Sequence, residues 1–141
     1  MKITYLFIHT LLDRQLTVGI FDKKRLIDKI IHKSSAAYSR LLLNLIDKLL
    51  KRNRIKFNNL RGTLVVNGPG SFTSIRLGLA AANTLSYFLK IPAVGIKLNE
   101  FKNLSELIEI GLKKIGKTRK QKMVLPVYGK SPNITMPTKI L

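Results

Sequence analysis

The sequence has no cysteine and no tryptophan, and only 7% of its 141 residues are aromatic. Without cysteine the chain forms no disulfide, no zinc–thiolate site and no thiol nucleophile. Few aromatic rings are available to stack on bases, as many RNA-binding modules require. Disulfide-stabilised scaffolds, zinc fingers and thiol enzymes are therefore excluded.

Acidic residues are also scarce, and catalytic groupings are missing. The seven Asp and Glu residues are scattered and form no convincing carboxylate dyad for acid–base chemistry. His9 and His32 are isolated from each other, so no metal-ligand pair is apparent. Ser71 and Thr73 have no histidine base at a readable spacing. The sequence predicts no catalytic residue, no metal and no cofactor.

The excess of positive charge is the strongest compositional feature. Lys and Arg number 26, which gives a formal net charge of +19. Such a field recruits polyanions, and RNA is the natural candidate among them. Compositional drift toward lysine is the alternative explanation.

No apolar run approaches the roughly 20 residues that span a bilayer. Residues 3–8 superficially resemble a signal peptide, but no small-residue cleavage site follows, and Asp13 and Arg14 come too soon. We therefore expect a cytoplasmic protein with no membrane partner.

Hydrophobic periodicity predicts three strands followed by alternating helices and strands. The predicted strands cover residues 3–9, 16–21, 25–32, 63–66 and 92–96, and the predicted helices cover 36–52, 71–89 and 100–115. The order β-β-β-α-β-α-β-α is typical of an α/β half-domain of the ribonuclease H-like, actin-like fold, with a mixed five-stranded sheet. We predict one domain over residues 1–116, and a basic linker with a short C-terminal tail over 117–141. For that tail an added strand, a segment that wraps a partner and disorder all remain open.

The centre of the chain is the stretch N-G-P-G-S-F-T-S-I-R-L-G over residues 67–78, between a predicted strand and a predicted helix. Gly68 and Gly70 bracket Pro69, which indicates a sharp turn, and Ser71 or Thr73 can cap the helix. A plain capped connection and an anion site at the helix N-terminus are both consistent with this pattern. The spacing matches neither dinucleotide nor P-loop motifs. The candidate anion contacts are Gly68, Pro69, Gly70, Ser71, Phe72, Thr73 and Arg76.

Several motifs together resemble the TsaB (YeaZ) family of bacterial tRNA threonylcarbamoyladenosine biosynthesis proteins. They are V-V-N-G-P-G-S-F-T at 65–73, R-L-G at 76–78 and I-P-A-V-G-I at 91–96. The family usually reads G-P-G-S-F-T-G-[LV]-R-I-G, so Ser74 replaces a glycine and Leu77 an isoleucine. Residues 38–47 are similar to the family's H-S-E-x-L-L-P-x-I-D helix, with Tyr38 for the histidine and Arg40 for the glutamate.

Residues 124–135 are similar to the family's C-terminal P-x-Y-L-R-x-P-x-I-T block. The resemblance therefore covers residues 1 to about 100 and about 123 to 135. We expect that the chain is a shortened form without most of the family's second lobe.

The resemblance implies a non-catalytic scaffold or activator subunit. Its expected partners are a TsaD-type catalytic subunit, which transfers a threonylcarbamoyl group to adenosine 37 of tRNA, a TsaE-type ATPase, and tRNA through the complex. Helices 36–52 and 71–89 would form the interface, and for the chain without its partner a monomer and a homodimer through the same helices both remain open. The candidate contacts are Tyr38, Leu41, Leu45, Leu49, Phe72, Leu79 and Ala82.

The resemblance also bears on nucleotide chemistry. Actin-type ATPases hold the metal–phosphate group with an Asp at the end of the first strand. That place is taken here by His9, whose neutral ring lacks the oxygen that Mg²⁺ prefers.

Two other functions remain open. A stand-alone basic RNA-binding module would bind tRNA without a partner and in a salt-sensitive manner. A residual ATP-binding or glycoprotease-like enzyme is disfavoured by His9 and by the missing second lobe.

Overall fold

In the part of the chain that the structure describes, five strands and three helices follow one another in the order that the hydrophobic pattern predicts. The computed structural model describes residues 3–33, 39–118 and 122–129. The strands are β1 (Thr4–His9), β2 (Gln15–Phe21), β3 (Leu26–Lys33), β4 (Leu60–Gly68) and β5 (Ala93–Lys97). The helices are α1 (Ser39–Arg52), α2 (Phe72–Leu89) and α3 (Leu104–Lys117). Short 3₁₀ turns at Phe57–Asn59 and Leu98–Glu100 precede β4 and follow β5.

The strands form one mixed sheet in the order β3-β2-β1-β4-β5. The β1–β2 and β2–β3 pairs are antiparallel, and the β1–β4 and β4–β5 pairs are parallel. All six residues of β1 are buried, and β4 is buried except at Arg61. A strand covered on both faces reads as a nearly continuous apolar run, which is how both segments read in the sequence.

Two apolar cores lie on opposite faces of this sheet. Helices α1 and α2 pack on one face, where Ile8 and Val65 meet Leu49 and Ile75. Helix α3 covers the other face, where Leu64 packs with Phe7 and Leu107. The sheet therefore buries the apolar stripe of α1 that the sequence predicts.

The start of α3 differs from the prediction, which began this helix at residue 100. Asn103 caps the helix instead, because its Oδ1 accepts the Glu106 N–H at 2.9 Å. Glu100 lies before it in a 3₁₀ turn, where its carboxylate accepts the Lys97 N–H at 2.8 Å. A side-chain cap of this kind satisfies a first-turn N–H and fixes where the helix begins.

A polar contact covers part of the free edge of β5. Lys114 Nζ donates to the Gly95 carbonyl oxygen at 2.9 Å and lies 3.0 Å from Glu100 Oε2. Burial of Glu100 acts to raise its pKa, but the Lys97 N–H and the Lys114 ammonium hold the pKa below its usual value. Pro92 directs its carbonyl to β4, so by strand alternation the Gly95 carbonyl and the Lys97 N–H point away from the sheet. Two outward groups of the edge strand thus have partners within the chain.

In the part of the chain that the structure describes, no helix has the length and apolar character needed to cross a bilayer.

Helix α2 provides a test of the capping residue, which the sequence left open between Ser71 and Thr73. Ser71 Oγ accepts the Ser74 N–H at 3.1 Å, whereas the exposed Thr73 lies inside the first turn. We expect Ser71→Ala to lower the free energy of unfolding by about 1 kcal/mol, because a first-turn N–H loses its acceptor. Urea denaturation measures this change. Thr73→Ala is the matched control and should change the value by less than about 0.5 kcal/mol; equal losses would contradict the assignment.

Candidate functional site

The glycine turn that joins β4 to α2 is fixed by its own backbone. Gly68 has φ +140°, a conformation that other residues rarely adopt, and a Cβ there would meet the Val127 carbonyl oxygen. Thr10 Oγ1 donates to the Ser74 carbonyl at 2.6 Å and ties the end of β1 to the first turn of α2. The turn therefore joins a strand to a helix, as the sequence predicts, and it lies at the carboxyl ends of the paired parallel strands β1 and β4.

Residues 122–129, here called the tail segment, pack against this turn. Two asparagine side chains hold its backbone. Asn83 Oδ1 accepts the Val124 N–H at 2.8 Å, and Asn83 Nδ2 donates to the Val124 carbonyl at 3.1 Å. Asn67 Nδ2 donates to the Leu125 carbonyl at 2.9 Å. None of the three alternatives for the C-terminal residues describes this part of the tail, which packs against its own chain.

Further contacts bring the end of the tail segment to the start of α2. The Val127 N–H donates to the Asn67 carbonyl at 2.9 Å. The rings of Tyr128 and Phe72 meet edge to face, with centroids 4.5 Å apart, and the Arg76 guanidinium lies 5.8 Å from the Phe72 centroid. The tail segment and the glycine turn thus form one structural unit.

Some of the candidate anion contacts are covered by the tail segment, and others remain exposed. Gly68 and Pro69 lie against Val127 and Gly129 of the tail segment, so one side of the turn is covered. Ser71 is engaged as the helix cap, while Gly70 and Thr73 remain exposed. Arg76 and Phe72 are exposed and contact each other. An anion contact at this turn stays a prediction.

His9 lies buried at the end of β1. Its Nδ1 accepts the Leu11 N–H at 3.3 Å, and its ring meets the edge of Phe101 with centroids 6.0 Å apart. Desolvation by burial lowers the pKa of His9 to about 4. The imidazole is therefore neutral at pH 7 and offers neither a positive charge nor a carboxylate oxygen.

The residues that the structure describes contain no group of three or more His, Cys, Asp or Glu side chains arranged to hold a metal ion.

A shallow groove of about 130 Å³ runs between α1 and α2 on their outer side. Leu43 contributes to it with 44% of its side chain exposed, and Ala80 is exposed on the facing helix. Among the residues that the structure describes, those that line it are Ser39, Leu42, Leu43, Leu77, Ala80, Ala81 and Thr84. The groove presents an apolar strip on the two helices that the family resemblance assigns to the partner interface.

Most of the predicted contact residues do not lie on this outer surface. Leu45, Leu49, Leu79 and Ala82 are buried in the core between the helices and the sheet. The prediction of these four as surface contacts needs correction, because the periodic apolar stripe of a helix is the face that its own sheet covers. Leu41 packs partly against the same core, Phe72 is half-exposed, and Tyr38 lies outside the described residues.

Of the two exposed groove residues Leu43 and Ala80, only Leu43 carries a signal in the sequence, and that signal is weak. Leu43 falls outside the spacing of Leu42, Leu45, Ile46 and Leu49, so it is an apolar residue on the otherwise polar side of α1. An apolar residue out of phase with the core stripe lies on the side of the helix that the core does not cover. Ala80 carries no such signal, because α2 is apolar on most of its faces.

The fold belongs to the class of actin-like, ribonuclease H-like α/β half-domains. The structure titled YeaZ from Pseudomonas aeruginosa superposes with a TM-score of 0.61 at 20% identity, over 69% of this chain and 44% of that protein. The predicted fold class is thereby confirmed.

A family model described as "TsaD: tRNA N6-adenosine threonylcarbamoyltransferase" matches residues 29–111, and the chain belongs to this family. Curated relatives are named tRNA threonylcarbamoyladenosine biosynthesis protein TsaB. The one from Buchnera aphidicola subsp. Acyrthosiphon pisum is 25% identical over 84% of this chain and 49% of its own length. The one from subsp. Schizaphis graminum is 34% identical over 52% of this chain and 35% of its own length.

The resemblance to TsaB proteins is thereby confirmed. The chain spans about half of the length of the curated relatives that it matches, or less.

The contact between Asn83 and the tail segment can be tested by substitution. In Asn83→Ala both backbone groups of Val124 lose their partners, and we expect release of the tail segment to become easier by about 2 kcal/mol. The Val124 amide should then exchange hydrogen roughly 30-fold faster. Asn44→Ala, at an exposed position of α1, is the control. Unchanged exchange in Asn83→Ala would show that these hydrogen bonds do not hold the tail segment.

Burial of His9 predicts a pH dependence of stability. The His9 imidazole binds its proton near pH 6.5 in the unfolded chain but only near pH 4 in the folded chain. The contribution of the neutral ring to the free energy of unfolding is therefore complete above pH 6.5 and falls as the pH is lowered from 6.5 to 4. The loss should approach about 3 kcal/mol at pH 4 and be absent in His9→Gln. Urea denaturation at several pH values measures it, with His32→Gln as the control for losing a histidine. Parallel pH profiles for the wild-type protein and His9→Gln would refute the interpretation.

Proposed function

We propose that this chain is a non-catalytic scaffold or activator subunit in tRNA N6-threonylcarbamoyladenosine modification, and that it pairs with a TsaD-type catalytic subunit. The family assignment and the names of the TsaB relatives support the pathway. A TsaE-type ATPase and tRNA are the further partners that we propose for the assembled complex.

The groove between α1 and α2 is the observation that carries the proposal. It exposes Leu43 and Ala80, two apolar residues outside the core, on the two helices that the family resemblance assigns to the interface. Leu43 on one helix and Leu77 and Ala80 on the other leave a depression between two ridges. A partner helix laid along it would fill the depression with its own side chains.

Charge favours a heterodimer over a stable homodimer. The chain carries a net charge of +19, so two copies repel each other, whereas a partner with a net negative charge is attracted. Arg40, exposed at the start of α1, stands where the family pattern has a glutamate. We expect the partner to present an acidic side chain opposite Arg40. A weak homodimer through the same helices is the expected state when the partner is absent.

The end of β1 supports a non-catalytic role. The neutral, buried His9 occupies the place where actin-type ATPases present a carboxylate, and its Nδ1 already accepts the Leu11 N–H. A hard Mg²⁺ ion prefers oxygen ligands, which this side chain lacks. We therefore assign metal–nucleotide chemistry to the partner subunit.

Co-expression with the TsaD-type protein of the same genome tests the pairing. We expect a one-to-one complex in size exclusion with mass determination, and at least a tenfold weaker complex for Leu43→Asp, because a carboxylate would be desolvated in the apolar groove. The control is Ile31→Asp on β3, since Ile31 has 45% exposure against 44% for Leu43. Thermal unfolding of both variants shows whether the fold is retained.

Two results would overturn the proposal. A wild-type protein that stays monomeric or homodimeric in the presence of the TsaD-type protein would favour a stand-alone RNA-binding module. A complex equally weakened by Leu43→Asp and Ile31→Asp would place the interface elsewhere.

A further inference from the structure

We propose that the end of the sheet where the parallel strands begin, here called the basic end, is the surface that binds RNA phosphates. The inference deepens the proposed function and rests on it, because it assigns tRNA contact to a surface separate from the α1–α2 groove.

The topology collects cations at this end. Strands β1, β4 and β5 run parallel, so the connections that enter β3, β4 and β5, residues 22–25, 53–59 and 90–92, share one end of the sheet. These connections contain six cations and one carboxylate. The described connections at the opposite end, residues 10–14, 69–71 and 98–103, contain two cations and two carboxylates. The described connections at one end thus carry a net charge of +5, whereas those at the opposite end carry none.

The turn between β2 and β3 presents three consecutive cations in a fixed conformation. Asp22 Oδ1 accepts the N–H groups of Lys24 and Arg25 at 2.8 and 2.9 Å, and the Asp22 N–H donates to the Arg25 carbonyl at 3.0 Å. The side chains of Lys23, Lys24 and Arg25 are exposed. Because the backbone is already ordered, less conformational entropy is lost when these cations meet a polyanion.

The connection from α1 to β4 continues the cationic surface. Arg54 and Lys56 are exposed within it, and Arg61 at the start of β4 is held by hydrogen bonds to the carbonyls of Asn58 and Leu60 at 3.0 and 3.2 Å. The nearby carboxylate of Asp28 is engaged by Arg52.

Lysines extend the surface to the other edge of the sheet. Lys90 is exposed just before β5, and Lys117 and Lys122 line a groove of about 370 Å³ beside Ala93. Five strands at about 4.8 Å spacing place the outer connections roughly 20 Å apart. The surface is therefore wide enough to contact several phosphates at once.

The chemistry of these connections favours RNA over a protein partner. The apolar residues Ile55, Phe57 and Ile91 of these connections pack into the core, so the exposed residues of the connections are mainly cationic. The cations of the β2–β3 turn also line a groove of about 490 Å³ whose other side carries Leu104, Ile108 and Glu109 of α3. A protein interface normally has an apolar centre, whereas nucleic-acid interfaces are more polar and far more positive. Lys and Arg contacts to phosphate carry little sequence information, so we expect binding that depends on charge rather than on base identity.

The isolated protein and unmodified tRNA test the inference through the salt dependence of binding. The variant Lys23→Gln/Lys24→Gln/Arg25→Gln should bind about tenfold more weakly at about 50 mM salt. The slope of log K against log salt should become shallower by about 2 to 3, since each lost phosphate contact removes 0.7–0.9 from it. The control Lys33→Gln/Lys48→Gln/Lys102→Gln removes the same charge from exposed sites elsewhere and should change affinity less than twofold.

Three results would overturn the inference. Equal weakening of both triple variants would show that only the net charge matters. Unchanged affinity in the first variant would remove the β2–β3 turn from the interface. Equal competition by polyglutamate at matched charge would show a general polyanion surface rather than an RNA surface. Assembly with the TsaD-type protein is measured separately and should be intact in the first variant, so failure of the RNA contact is distinguishable from failure of the proposed function.

Discussion

The parallel pairing of β1 with β4 is the contact on which the other elements depend. These two strands lie in the middle of the sheet and are buried on both faces, so apolar elements must cover each side. Helices α1 and α2 supply one cover and α3 the other. This requirement uses most of the apolar residues of the helices, while Leu43, Phe72, Tyr87 and Phe88 stay exposed. The exposed apolar residues of the α1–α2 groove are notable because the core does not need them.

Helix α2 and the tail segment complete the cover over β4 and β5. Gly78 faces Thr10 and Val65, so the small residues of α2 let the helix approach its own sheet. Val124 of the tail segment is buried against the same core and lies close to Gly95 of β5. A short segment that is bound through its backbone thus covers part of one face of the sheet, next to β5. By the same contacts it fixes the position of the glycine turn and of Phe72 at the start of α2.

Element order, strand identity and fold class were accessible from the sequence because hydrophobic periodicity and turn residues report local structure directly. The start of α3 was placed too early, since Glu100 suits a first turn but Asn103 is the better cap. The interface residues were chosen from the apolar stripes, which the sheet covers. The asparagine contacts to the tail segment join residues 41 and 58 positions apart in sequence, and no local pattern in the sequence predicts such pairings.

The Lys114–Glu100 contact on β5 has a consequence for the chain in a crowded cell. An open strand edge is a template on which other chains add strands, and sheet proteins that leave such edges bare tend to aggregate. Here a lysine and a glutamate bind two of the outward backbone groups, while the other edge strand, β3, carries Asp28, Lys29 and Lys33 among its apolar residues. The sheet therefore ends in charge on both sides, which opposes amyloid-like growth from either edge.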